Sequence, residues 1–92
     1  MDRDEIKSLL SSLQALLHQH GETNWIRGVT SALVALDSPD GLETARSIYS
    51  SMMKGAGSFT DYCIWRNDFN ASINENRELD DIRARLWRAF DL

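Results

Sequence analysis

The sequence is poor in the residues that announce a chemistry. It has one cysteine, Cys63, so no disulfide can close within the chain, which favours a reducing compartment or indifference to redox state. It has two histidines, His18 and His20. Two residues apart on a helix they point in different directions, and with a lone cysteine they make no metal site. There is one proline and no stretch approaching the ~18 apolar residues of a membrane span. The opening, MDRDEIKSLL, lacks the basic-then-apolar layout of a secretion signal. Basic residues are outnumbered, ten against fourteen acids for a net charge of −4. That balance argues against nucleic acid, whose binders normally turn a basic face to the phosphates. The expectation is a cytoplasmic chain with no membrane, nucleic-acid or cofactor attachment.

What is present suits one small soluble domain over residues 1–92. Its 42% hydrophobic and 26% charged residues are ordinary for a globular protein. A chain this short buries roughly 60–65% of its unfolded surface, enough for one thin core. Eight of the ten bases are arginine, the cation that makes forked contacts.

Helical periodicity dominates. Ile6, Leu9, Leu10, Leu13, Leu16 and Leu17 form one stripe, with Asp2 or Asp4 as cap and Gly21 as stop. A second helix is expected at about 24–36, with Thr23 as cap and Trp25, Val29, Ala32, Leu33 and Leu36 on one face. Gly28 inside it costs ~1 kcal/mol relative to alanine unless a neighbouring helix comes close. In DSPDGLETA, Ser38 can cap and Pro39 suits a first helical position. The third helix so begun would bury Leu42, Ala45, Ile48, Tyr49, Met52 and Met53 and stop at Gly55. The last is expected at about 74–90. Its acids come first and its bases last, as the macrodipole favours, and Ser72-x-x-Glu75 can open it as a capping box. Asp81 and Arg85 form an i,i+4 pair. The fold class is therefore all-α, a bundle of four main helices. Between Gly57 and Ile73 the period is unclear, and a short helix or a short extended piece would both fit.

Candidate sites gather around KGAGSFTDYCIW, residues 54–65. The lysine precedes the glycines, so this is no Walker loop, and the third glycine of a dinucleotide fingerprint is missing. Ser58-Phe59-Thr60-Asp61 fits a capping box better: Ser58 would accept from the amide three residues on, and Asp61 would reach back. The amides of Gly57, Ser58 and Phe59 could alternatively cradle an anion, with Arg66 or Arg83 turning in. DFNASINENREL imitates a calcium loop but has Ile73 where glycine is required and Leu79 where a bidentate glutamate is required. Ser58 and Cys63 have no base within reach by sequence, so no catalytic constellation is assigned. Trp65 and Trp87 sit at stripe edges, where an aromatic can cover the core or anchor a partner.

The loop Gly55, Gly57, Ser58, Phe59, Thr60, Asp61, followed by Glu75, Asn76, Leu79, Asp80, Ile82 and Arg83, resembles the G-x-G-S-[FL]-[NT]-D and E-N-x-x-L-D-x-[LI]-R signatures of a family of small uncharacterised bacterial proteins. The resemblance spans about half the chain, and Thr60 stands where asparagine is more usual. It implies a mostly helical bacterial cytoplasmic domain and brings no activity with it.

Together these features favour a non-enzymatic protein-interaction module, such as an adaptor, regulator or immunity-type protein. Ser58, Asp61, Trp65 and Trp87 are its expected contacts. A small-ligand or anion-binding domain is the second reading. A homodimer is also open, since a small bundle can complete its core that way.

Overall fold

The computed structural model describes residues 1–54, 57–64 and 69–92, the side chains of the last segment from Ser72 onward. Four helices are present among them: α1 (Arg3–Gln19), α2 (Trp25–Ala35), α3 (Gly41–Met52) and α4 (Phe69–Ala89). One 3-10 turn, Phe59–Asp61, lies between α3 and α4, and no strand occurs among the described residues. The all-α bundle read from the periodicity is the observed architecture. α1 packs between α2 and α4, and α2 packs on α3.

The apolar stripe of α1 is buried at Ile6, Leu10, Leu13, Leu16 and Leu17, with Leu9 at its rim. Asp2 caps the helix, its carboxylate accepting from the amides of Asp4 and Glu5. Gly21 stops it at φ 69. Gly21 and Glu22 donate back to the carbonyls of His18 and Leu17, the paired bonds of a Schellman ending. α4 ends in the same way, with Asp91 in the left-handed seat at φ 57 and Leu92 donating to the Trp87 carbonyl.

α2 departs from expectation at its start. Thr23 does not cap it, and its N-cap, Asn24, makes no side-chain cap bond. The Glu22 carboxylate takes the amides of Asn24, Trp25 and Ile26 at 2.7–2.9 Å. A longer acid placed one residue further back serves three orphan donors and meets the helix dipole at once.

α3 starts two residues later than Pro39 suggested. Ser38-Pro39-Asp40 is a turn closed by the Gly41 amide on the Ser38 carbonyl. The reason lies at Gly41, which is buried and where a Cβ would stand 1.5 Å from the Ala35 carbonyl oxygen. The chain reverses against the end of α2 and can do so only without a side chain there. Gly28 serves the same packing lower down, since a Cβ on it would meet the Met52 sulfur at 2.6 Å. The helix ends at Met52, before Gly55, which lies outside the described residues.

α4 begins at Phe69, five residues before the expected Asn74. Ser72 is inside the helix and buried, so the Ser72–Glu75 capping box does not open it. The calcium-like stretch is helical from Phe69 on, and its first position, Asp68, lies outside the described residues. Leu79, Ile82, Leu86 and Phe90 are buried against the core, and Phe90 stacks on Tyr49 with ring centroids 5.5 Å apart.

Three arginines tie these elements together through backbone carbonyls. Arg3 donates to Leu36, Ser38 and Pro39 at the α2–α3 turn. Arg46 donates to Phe90 and Asp91 at the end of α4. Arg83 holds the 3-10 turn. Each guanidinium reaches several carbonyl oxygens from one rigid fork, which a lysine ammonium would not reproduce.

Candidate functional site

The segment from Gly57 to Ile64 contains the glycine-serine loop, and α4 supplies almost everything that holds it. Phe59 is fully buried and lies between Trp25 and Tyr62, with ring centroids 5.6 and 5.9 Å away. Burying Phe59 brings its backbone inside too, where the carbonyls need donors. Arg83 provides them. Its Nη1 donates to the Phe59 carbonyl at 2.6 Å and to the Tyr62 carbonyl at 2.8 Å, and its Nη2 donates to Asp80. The guanidinium also lies over the Phe59 ring, 5.3 Å from its centroid. Only 8% of Arg83 is exposed, so this cation is stabilised by its carbonyls, one carboxylate and a ring face rather than by water.

Asn76 acts about two turns earlier on α4. Its side-chain oxygen accepts from the Ile64 amide at 2.7 Å, and its NH2 donates to the Ile64 carbonyl at 2.9 Å. The primary amide thereby satisfies both backbone groups of one residue, as a neighbouring strand would. Ile64 can then be almost wholly buried without a sheet.

Inside the turn, the capping arrangement is shifted by one residue from the expected box. The Ser58 hydroxyl accepts from the Thr60 amide at 3.3 Å, two residues on rather than three. The Asp61 carboxylate reaches back past Ser58 to the Gly57 amide at 2.8 Å. Asp61's own amide bonds the Ser58 carbonyl, the three-residue spacing of a 3-10 turn. Gly57 adopts φ 73, a conformation that L side chains rarely take. The Thr60 hydroxyl donates to the Met53 carbonyl at the end of α3. After Asp61 the chain leaves the turn extended at Tyr62, so residues 58–64 combine a short helical turn with an extended piece.

This geometry redistributes the expected site residues. Ser58 is buried and bonded within the turn, so it offers no contact surface. Asp61 is exposed, but its carboxylate is engaged by Gly57. Trp65 and Arg66 lie outside the described residues. Trp87 stands 42% exposed on the outer side of α4. Of the amides expected to cradle an anion, that of Gly57 is held by a protein carboxylate, and Arg83 turns to carbonyls and Asp80. No pocket opens among the described residues, and no three His, Cys, Asp or Glu side chains gather there as a metal site.

Two tyrosines carry the electrostatic imprint of this corner. Burial pushes the Tyr49 phenol well above its ordinary value, against the opposing influence of Arg83, and its hydroxyl donates to the Arg83 carbonyl at 3.1 Å. Tyr62 is also raised, first by burial, then by Glu22 and Cys63, with Arg83 again lowering. His18 is exposed. His20 is partly buried, and its Nε2 has no hydrogen-bond partner among the described residues.

Sequence reasoning missed Asn76, Arg83 and Glu22 as structural clamps, although the first two belong to the signature that carries the family resemblance. A buried arginine and a half-buried asparagine on a helix's core side are the available signal. Buried polar side chains of this kind are bonded, and their partners must be backbone where no side chain complements them. Sequence reasoning did mark Trp87, and the Asp81–Arg85 pair elsewhere on α4 forms as expected at 3.0 Å. Comparison with protein-family models, with curated proteins and with solved structures finds no match to this chain.

Proposed function

We propose that the chain is a non-enzymatic protein-interaction module that binds through the outer face of α4, centred on Trp87. The observation that carries this is the exposure of Trp87 at 42%, at the edge of the buried stripe of α4. Tryptophan is a frequent energetic anchor of protein interfaces, and a charged rim is the usual surround. Here Asp80 and Ala84 are the exposed neighbours on the same side of α4. Trp87 is one of three large exposed apolar residues among those described, with Met1 and Val34, and the only aromatic of the three. The cytoplasm is the setting proposed. No helix among the described residues is long and apolar enough to cross a membrane.

The contact surface is thus narrower than the sequence suggested. Ser58 and Asp61 build the turn that braces α4 from behind, and Trp87 faces outward. The test is site-specific photocrosslinking in living cells from position 84, which neighbours Trp87 on the exposed face, with position 11 on α1 as control. Adducts from 84 and none from 11 are expected. Equal labelling at both positions, or none at either, would overturn the reading.

A further inference from the structure

We infer that Met53 is a site of reversible oxidation by hydrogen peroxide, and that the Thr60 hydroxyl beside its sulfur assists and directs the reaction. The chain has three methionines, and the fold treats the neighbours at 52 and 53 in opposite ways. Met52 is 8% exposed. Its thioether lies against the backbone of Gly28, where a Cβ would stand 2.6 Å from the sulfur. Met53 is the C-cap of α3 and is only partly buried, at the rim of the core. Its sulfur stands 3.9 Å from the Thr60 hydroxyl, which donates to the Met53 carbonyl at 2.9 Å, and both contacts are exposed.

That hydroxyl has a part to play when the sulfur is oxidised. A sulfur lone pair attacks one oxygen of the peroxide, and the S–O bond forms as the O–O bond breaks. The transferred oxygen passes its proton to the departing one, which leaves as water. The sulfur gives up two electrons and the peroxide takes them. Negative charge builds on the peroxide as its bond breaks, and a donor already in place stabilises it. The Thr60 proton can swing from the carbonyl to this duty because a hydroxyl rotates, and the exposed carbonyl can take water instead.

The product keeps the same neighbour. A thioether is a weak acceptor, whereas a sulfoxide is polar. The Thr60 tie between the 57–64 segment and the end of α3 then passes from the main chain to the oxidised side chain. Oxidation also makes the sulfur chiral. A donor fixed on one side of the sulfur favours attack through one of its two lone pairs, so one sulfoxide epimer forms in excess.

The test exposes the native protein to hydrogen peroxide, digests it, and reads each methionine by fragmentation mass spectrometry. The peptides are then treated with two methionine sulfoxide reductases, each of which reduces one epimer. Met1, 46% exposed, is the reference for an open site. Met53 is expected to oxidise several-fold faster than Met52, with unequal epimers where Met1 gives a near-equal split. Thr60→Val should slow Met53 several-fold and even out its epimers, and Thr60→Ser should restore both. A variant that merely loosened the turn would expose the sulfur and speed the reaction, so slowing is specific to the lost hydroxyl. Circular dichroism checks that both variants keep their helices. A Met53 that oxidises as slowly as Met52 would overturn the proposal, as would a rate or an epimer split that Thr60→Val leaves unchanged.

Discussion

Leu13 and Arg83 are both buried, on two helices that pack against each other, yet they hold the molecule by different means. Leu13 belongs to a stripe in which any well-shaped apolar residue adds its share of transfer free energy. Arg83 has no stripe to join. It is inside because the backbone of Phe59 and Tyr62 is inside and needs a donor. The α1–α3 region is thus closed chiefly by apolar burial and tight glycine contacts, and the 57–64 segment by side chains of α4 that bond its main chain. The difference teaches where a small bundle spends its polar residues. A segment too short to form its own helix can enter the core only if a neighbouring element satisfies its backbone.

The sharpest way to break the comparison is Arg83→Ala. It strips donors from two buried carbonyls and removes the ring contact to Phe59, and ~3–5 kcal/mol of stability should be lost, the range for breaking a buried charge arrangement. Leu10→Ala should cost a similar ~2–5 kcal/mol through cavity formation. The two separate on replacement. Leu10→Met should recover most of the loss, and Arg83→Met should not, because no thioether donates to a carbonyl. Urea unfolding of the four variants checks this.

Asn76→Ala comes next, at ~1–3 kcal/mol, the penalty for leaving buried backbone groups unbonded. Asp61→Ala should cost ~0.5–2 kcal/mol, the range for a lost cap. Unchanged stability at Asp61 would mean that the Gly57 amide finds water equally well.

Tyr49→Phe is the smallest at neutral pH, ~0.5–1.5 kcal/mol for its bond to the Arg83 carbonyl, but it has a pH signature. The folded protein holds the Tyr49 proton more tightly than the unfolded chain does. This contribution is fully present below pH ~10, the phenol's ordinary value, and is lost as pH rises above it, when the unfolded chain ionises first. Wild type should therefore lose stability faster than Tyr49→Phe above pH ~10, with residual slope from Tyr62, whose shift has the same sign.

The sequence and the structure part along the same line. The stripes of α1 and the α2 and α3 faces were legible because apolar periodicity is a local property, and the all-α fold followed. Gly21 was legible because a left-handed stop has a strong residue preference. The starts of α2, α3 and α4 were not. Glu22 caps from outside the usual cap position, Gly41 is fixed by a backbone contact with Ala35, and α4 extends past a stretch with a strong capping pattern. The clamps were hidden for a related reason: Asn76 and Arg83 act on backbone groups 12 to 24 residues away, and a carbonyl leaves no trace in the residue letters. Trp87 was legible as an edge aromatic. The family-like motif was legible as a pattern, and its residues at 76, 80 and 83 turn out to share a structural duty.

The central claim is that α4 side chains satisfy the buried backbone of the 57–64 segment, and the most direct test is native-state hydrogen exchange at the Ile64 amide. In wild type that amide should be strongly protected by the Asn76 oxygen. In Asn76→Ala its protection should collapse while the amides of α1 around Leu13 keep theirs. An Ile64 amide that exchanges quickly in wild type, or equally slowly in both proteins, would contradict the account.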